Sequence, residues 1–199
     1  MNENFKKFGR QLLLPVTDLL IKIKITPNTI TLLGLPVTLL ASYFYAIGKL
    51  RIAGLTLAFA GLFDVLDGEV ARRLNRVSKF GAFFDSTIDR FEEFFVFGGI
   101  IYYYSFVSAN PLFAILVYFT LLGAIMTSYI RARAEGVGYS PQSGPMDRPG
   151  RYIFIIIFSV IGGETFKYSM FVLLILVFIT VVNRFREFYL ITNKEGQHG

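Results

Sequence analysis

The chain has 199 residues, of which 54% are hydrophobic and 17% charged, and this composition excludes an ordinary soluble domain and indicates a single-domain membrane protein. Cysteine is absent and the single histidine lies in the C-terminal tail, so disulfides and thiolate chemistry are excluded and any metal needs oxygen ligands, as Mg²⁺, Mn²⁺ or Ca²⁺ prefer. The formal net charge of +6 suits anionic lipid headgroups, and no nucleic-acid-binding motif accompanies it.

Six apolar stretches predict six transmembrane helices, because a spanning helix needs about 20 mostly apolar residues. They cover residues 30–47, 80–106, 112–130, 148–163 and 168–189, and a further stretch that starts at residue 53 and runs into an acidic stretch beginning at residue 64. The stretch 148–163 is short and spans only if it begins near Arg148. We therefore expect an all-α integral membrane protein, in which residues 26–192 form a six-helix transmembrane bundle and residues 193–199 form a tail.

Lysines, arginines, phenylalanines and leucines alternate irregularly before the first of these spans. This mixture predicts that residues 1–25 form an amphipathic helix that lies in the membrane interface. Thr26 is expected to cap the first spanning helix, with Pro27 in its first turn.

Positive charge predicts the orientation of the chain in a cell membrane. Of the 20 lysines and arginines, three fall on one side of the predicted topology, namely Lys49, Arg51 and Lys167. The remainder fall on the other side, so both termini and the acidic stretch are expected to be cytoplasmic.

The acidic stretch carries four aspartates, Asp64, Asp67, Asp85 and Asp89. The first two are three residues apart and the last two four apart, so each pair shares one face of its helix. The polar turn "LNRVSK" between the pairs predicts a helical hairpin that brings all four together. Pairing with nearby arginines is sufficient for one acid, but four such carboxylates repel one another strongly. We therefore expect two divalent cations, a recurring device for displacement at phosphorus.

This stretch resembles the signature of the CDP-alcohol phosphotransferase family, D-x-x-D-G-x-x-A-R, eight residues, then G-x-x-x-D-x-x-x-D. The matching residues are Asp64, Asp67, Gly68, Ala71, Arg72, Gly81, Asp85 and Asp89. The resemblance implies an enzyme that transfers a substituted phosphoryl group from a CDP-linked lipid to an alcohol and releases CMP. It also implies a homodimer.

The resemblance further implies a role for each matching residue. Two Mg²⁺ or Mn²⁺ ions would be held by Asp64, Asp67, Asp85 and Asp89. Asp89 would also be the catalytic base on the acceptor hydroxyl, or a metal ligand alone. The CDP group would contact Asn28, Thr31, Asp64, Gly68, Ala71, Arg72 and Gly81.

A second informative stretch, "SYIRARAEGVGYSPQSGPMDRPGR", covers residues 128–151. Its arginines, Arg131, Arg133, Arg148 and Arg151, lie at two helix ends and predict a pocket for an acceptor that already carries a phosphate. Singly, each would serve as a membrane anchor. The stretch resembles the phosphatidylinositol-phosphate and archaetidylinositol-phosphate synthase branch, although Asp147 replaces a common glutamate. The acceptor implied is inositol phosphate.

Several alternatives stay open at this point. Glycerol 3-phosphate as acceptor would make the chain a phosphatidylglycerophosphate synthase, and both diacylglycerol and ether-lipid donors fit. A cation transporter is an alternative of another class, although it predicts acids strung through the bilayer rather than clustered at one end. Glu92 and Glu93 follow Asp89 and are expected to pair with arginines.

Overall fold

The computed structural model describes residues 14–195. Residues 1–13 of the predicted interfacial helix and residues 196–199 of the tail lie outside the described range. Every regular element within it is helical, and a short helix α1 covers residues 14–22. The longer helices are α2 (Pro27–Ala46), α3 (Leu50–Arg73), α4 (Lys79–Tyr102) with a π-helical extension (Tyr103–Val107), α5 (Pro111–Glu135), α6 (Arg148–Ile161) and α7 (Gly163–Glu195).

Each predicted apolar stretch corresponds to one of the helices α2 to α7. The Thr26 side chain accepts a hydrogen bond from the Thr29 backbone N–H at 3.3 Å, and Pro27 lies in the first turn, which confirms the predicted start of α2. The α6 helix begins at Arg148, as a short fifth helix requires. The Asp147 side chain caps it by accepting from the Gly150 N–H at 2.9 Å.

The six long helices pack in a closed ring. The α2 helix contacts α3 and α4, α3 contacts α6, α4 contacts α5, and α7 joins α5 to α6. Alanines and large apolar side chains such as Leu57, Phe97 and Phe166 fill the ring at one end. At the other end the ring encloses acidic and basic side chains from α3, α4 and α6. The charged side chains at this end therefore come from three neighbouring helices of the ring, and they stay partly accessible.

The outer surface of the ring is apolar. Leu55, Phe106, Leu112 and Phe171 are all more than half exposed. Within the described range, three helices are long and apolar enough to cross a membrane, Pro27–Ala46, Pro111–Glu135 and the segment Gly163–Asn193. The α3 and α4 helices carry the acidic stretch, and the 14 residues of α6 span only about 21 Å. The all-helical class is thus confirmed, with three candidate spans.

Close packing of α2 on α4 depends on Gly99, which gives a matched test of the fold. A Cβ atom at Gly99 would overlap the Ser42 carbonyl oxygen of α2, whereas one at Gly98 would meet nothing within 4 Å. Gly99→Ala should therefore lower the free energy of unfolding by about 1–3 kcal/mol. Gly98→Ala should leave it unchanged or raise it by up to about 1 kcal/mol, because alanine favours helix. Thermal unfolding in detergent measures both, and equal effects would contradict this packing.

Candidate active site

The α3–α4 hairpin and the start of α2 enclose a cavity of about 210 Å³. The α3 helix ends at Arg73, and Ser78 starts α4 by accepting a hydrogen bond from the Gly81 backbone N–H at 3.0 Å. The cavity is lined in part by Asn28, Thr31, Asp67, Gly68, Ala71, Arg72, Gly81 and Asp85. All the predicted CDP-binding residues except Asp64 therefore line one cavity.

Thr31 fixes the orientation of Asp67 inside this cavity. Its hydroxyl donates to Asp67 Oδ2 at 2.6 Å, and both side chains are buried between α2 and α3. The structure therefore gives Thr31 a contact to a predicted metal ligand. The predicted contacts of Thr31 and Asn28 with cytidine stay a prediction.

A second group of acids lies deeper in the ring and is bridged by Arg148 from α6. Arg148 Nη1 donates to Asp64 Oδ2 at 2.7 Å, and Nη2 donates to Glu92 Oε2 at 2.8 Å. Arg148 Nη1 also lies 2.8 Å from Asp89 Oδ1, and its guanidinium carbon lies 4.8 Å from the centre of the Tyr152 ring. One guanidinium thus bridges three carboxylates from two helices, and the group keeps a net negative charge when all three are ionised.

The donor set fits a divalent cation. Carboxylate oxygens of Asp64, Asp89 and Glu92 lie within 4.8 Å of one another. Asp89 Oδ1 is buried and forms an ion pair with Arg148 Nη1 at 2.8 Å, so the guanidinium occupies the position next to this oxygen. Asp67 and Asp85 line the adjoining cavity. The four predicted ligands therefore occupy two neighbouring groups, and Glu92 is an additional candidate.

Glu93 and Arg151 form a separate ion pair with both side chains fully buried. Arg151 Nε and Nη2 donate to the two Glu93 carboxylate oxygens at 2.7 and 3.0 Å, and Nη1 donates to Thr127 Oγ1 at 2.8 Å. The expected pairing of Glu92 and Glu93 with arginines is confirmed. Arg151 was predicted to contact an acceptor phosphate, but the structure encloses its guanidinium between α4, α5 and α6.

The remaining predicted arginines lie on opposite faces of α5. Arg131 is exposed and pairs with Glu135 at 2.8 Å. Arg133, two residues further, lines an apolar groove between α5 and α7. Because two residues turn a helix by about 200°, the structure does not bring Arg131 and Arg133 together.

Arg184 is a buried arginine that the sequence interpretation did not single out. Its Nη1 donates to the Thr127 carbonyl oxygen at 2.7 Å, and its Nε donates to the Ser143 carbonyl oxygen at 3.3 Å. Arg131 and Arg151 lie close enough to repel it electrostatically. A signal was available, because Arg184 continues the buried stripe of α7 formed by Phe166, Met170, Leu173, Val177 and Thr180.

Comparison with known proteins relates this geometry to a family. The CDP-alcohol phosphatidyltransferase family model matches residues 24–191. Archaetidylinositol phosphate synthase of Pyrococcus horikoshii is 37% identical over 164 residues, covering 82% of this chain and 83% of that protein.

Two crystal structures of Mycobacterium tuberculosis phosphatidylinositol phosphate synthase have the same fold. The structure with CDP-DAG bound has a TM-score of 0.83 and 28% identity, over 88% of this chain and 92% of that one. The structure with manganese and citrate has a TM-score of 0.82 and 28% identity, over 88% of both chains. The family match covers the cavity between α2, α3 and α4, which is called the donor cavity below, together with the carboxylate cluster and the ring of helices. The chain is therefore a transferase of the CDP-alcohol phosphatidyltransferase family.

Proposed function

We propose that the chain transfers a phosphatidyl-type group from a CDP-linked lipid to inositol phosphate and releases CMP. The observation that carries this proposal is the junction of the donor cavity with the cluster of Asp64, Asp89 and Glu92. The relatives' activities support inositol phosphate as the acceptor.

The donor side of the reaction rests on residues of α2, α3 and α4. The cytidine end of the donor lies in the cavity, near Asn28, Gly68 and Gly81, where small residues leave room for it. Asp64, Asp67, Asp85 and Asp89 would hold two divalent cations, which would supply positive charge to the pyrophosphate and to the charge that develops at phosphorus. Asp64 also contacts the donor phosphates, and Arg72 adds a cation at the cavity rim.

Asp89 acts on the acceptor as the general base. It takes the hydroxyl proton as the acceptor oxygen forms a bond to the lipid-bearing phosphorus. The bond from that phosphorus to the CMP oxygen breaks, and CMP leaves with the electron pair. Burial of Asp89 between α4 and Arg148 excludes bulk water from this proton transfer.

The acceptor phosphate lies between α5, α6 and α7. Arg131 and Arg184, which lie close enough to repel each other electrostatically, bind it in this proposal, together with Arg148, which contacts the carboxylates. Arg151 supports this site from behind, because its guanidinium is held by Glu93 and by Thr127, whose carbonyl oxygen accepts from Arg184. Arg133 faces away from the site, so we do not include it among the acceptor ligands.

The proposal extends to the arrangement of the protein in the membrane. In this proposal all six helices α2 to α7 span the bilayer, with residues 1–25 in the interface and residues 193–199 as a cytoplasmic tail. The acidic cluster and both termini lie on the cytoplasmic side, where most lysines and arginines are placed. The lipid donor enters sideways from the bilayer, the acceptor arrives from the cytoplasm, and the enzyme is a homodimer.

Release of CMP by the purified protein tests the proposed reaction. With CDP-diacylglycerol, Mn²⁺ or Mg²⁺ and inositol phosphate, we expect CMP and a phosphorylated inositol lipid, and EDTA should stop both. The ether-lipid form of the donor, tested in parallel, identifies the preferred tail chemistry. Product from glycerol 3-phosphate but not from inositol phosphate would overturn the acceptor assignment. Cation flux into vesicles without CMP release would contradict the proposed enzymatic reaction and favour a cation transporter.

The role of Arg131 gives a sharper prediction about the acceptor. Arg131→Gln should raise the KM for inositol phosphate roughly 10- to 100-fold, because it removes a charged hydrogen bond to the phosphate. The KM for the CDP-lipid should not change. Lys167→Gln is a matched control, since Lys167 forms a similar exposed pair with Glu164 at 2.8 Å near the other end of the bundle. An unchanged acceptor KM in Arg131→Gln would remove Arg131 from the site.

A further inference from the structure

An apolar groove follows the outer seam between α5 and α7, outside the ring. It has a volume of about 490 Å³, and its lining includes Met126, Tyr129, Arg133, Val181 and Phe185. The α5 members of this set recur every three or four residues, so they form the stripe that faces away from the active site. The groove is therefore separated from the donor cavity and from the carboxylate cluster.

A second groove of about 480 Å³ lies beside the first on α7. Both grooves contain Val181 and Phe185, and Phe185 is 66% exposed, so this side chain forms a ridge between them. The second groove ends at Arg186 and Tyr189. It shares Val182 with a further hollow that reaches Ile175.

The dimensions of this surface suit a lipid with two chains. From Tyr189 to Ile175 the second groove and the further hollow together follow α7 for about 21 Å, which exceeds half the thickness of a bilayer hydrocarbon core, ~15 Å. The two grooves are nearly equal in volume and meet at one ridge. Two acyl chains on one glycerol unit would therefore each occupy one groove.

The same surface has two arginines at its polar end, Arg133 in the first groove and Arg186 in the second. Helices α5 and α7 run in the same direction, since α6 crosses the bundle once between them, so both arginines lie near the same membrane face. Among the side chains that the structure describes, no acid pairs with either. The nearby Glu135 and Glu187 are bound by Arg131 and by the backbone N–H groups of residues 142 and 143.

We propose that this twin groove binds one anionic diacyl phospholipid of the surrounding bilayer. Its two chains lie on either side of Phe185, and its phosphate lies between Arg133 and Arg186. A zwitterionic lipid of the same size is bound less tightly, because its ammonium group meets two uncompensated cations. The site is distinct from the donor and acceptor sites.

Native mass spectrometry of the full chain in detergent tests this proposal, with phosphatidylglycerol as the probe and phosphatidylcholine as the comparison. We expect the protein to retain phosphatidylglycerol preferentially. The variants Arg133→Gln and Arg186→Gln should each weaken retention about fivefold, and the double variant correspondingly more. Lys167→Gln, which removes a cation near the other end of the bundle, should not change it.

A second measurement keeps the test decisive if a variant is poorly stable. Phosphatidylglycerol should raise the Tm of the wild-type protein more than the Tm of Arg186→Gln. The turnover of Arg186→Gln should be unchanged. Equal retention of both lipids by the wild type would overturn the proposal. Loss of a dimer in the double variant, with lipid retention unchanged, would also overturn it, since the surface would then be a subunit interface.

Discussion

Asp89→Asn should abolish CMP release while leaving the protein folded. We expect turnover to fall roughly 100- to 10,000-fold, the range that a positioned general base contributes. Asparagine has nearly the same shape as aspartate but cannot accept the hydroxyl proton. It also supplies a weaker oxygen ligand. Asp89 is buried, and its ion pair with Arg148 Nη1 at 2.8 Å fixes the position of its carboxylate beside Asp64 and Glu92.

Asp18→Asn is the matched control for this variant. Asp18 forms an ion pair with Arg73 on the exposed side of α3, so the same change removes a charge without touching the cluster. Its turnover should equal that of the wild type. Mn²⁺ affinity then separates the two roles of Asp89: loss of turnover with retained Mn²⁺ binding identifies a base, and loss of both identifies a ligand. Retained turnover in Asp89→Asn would refute the mechanism.

Much of the fold could be predicted because hydrophobic length and helix caps are local properties. Thr26 and Pro27 start α2 as expected, and α6 starts at Arg148, where the short apolar stretch required it. The number of membrane spans is harder to predict, because α3 and α4 contain both apolar turns and the acidic stretch. Length and composition alone therefore identify three spans within the described range.

The candidate site could be predicted only in part, because spacing along one helix does not determine how two helices are aligned. The i, i+3 and i, i+4 spacings place the aspartates on shared faces. They do not show that Glu92 joins Asp64 and Asp89, nor that Arg148 reaches all three from α6. That contact depends on the axial position of α6 relative to α4.

The arginines illustrate the same difficulty. The presence of four arginines near two helix ends predicted an anion-binding pocket. In the structure, Arg133 and Arg151 have other surroundings. Arg133 is turned outward by its position two residues after Arg131, which helical periodicity could have shown. The burial of Arg151 against Glu93 depends on packing between distant helices, and no local pattern indicates it.

Glu93→Gln should strongly destabilise the protein. The side chains of Glu93 and Arg151 are completely buried, with 0% accessible surface for both. Removing one partner leaves an uncompensated buried charge, which costs about 3–5 kcal/mol in the free energy of unfolding. Arg151→Met should have a similar effect. Equilibrium unfolding in mixed micelles measures both variants.

A double-mutant cycle isolates the contribution of this pair. The free energy of unfolding of the double variant Glu93→Gln, Arg151→Met should fall by much less than the sum of the two single decreases, because no unpaired buried charge remains. The exposed pair of Glu164 and Lys167 is the control, and breaking it should cost less than about 1 kcal/mol. If Arg151→Met instead folded with normal stability and only raised the acceptor KM, Arg151 would be an acceptor ligand rather than a support. The cycle therefore decides whether this guanidinium binds the acceptor phosphate directly or holds Thr127 and, through it, Arg184 in position.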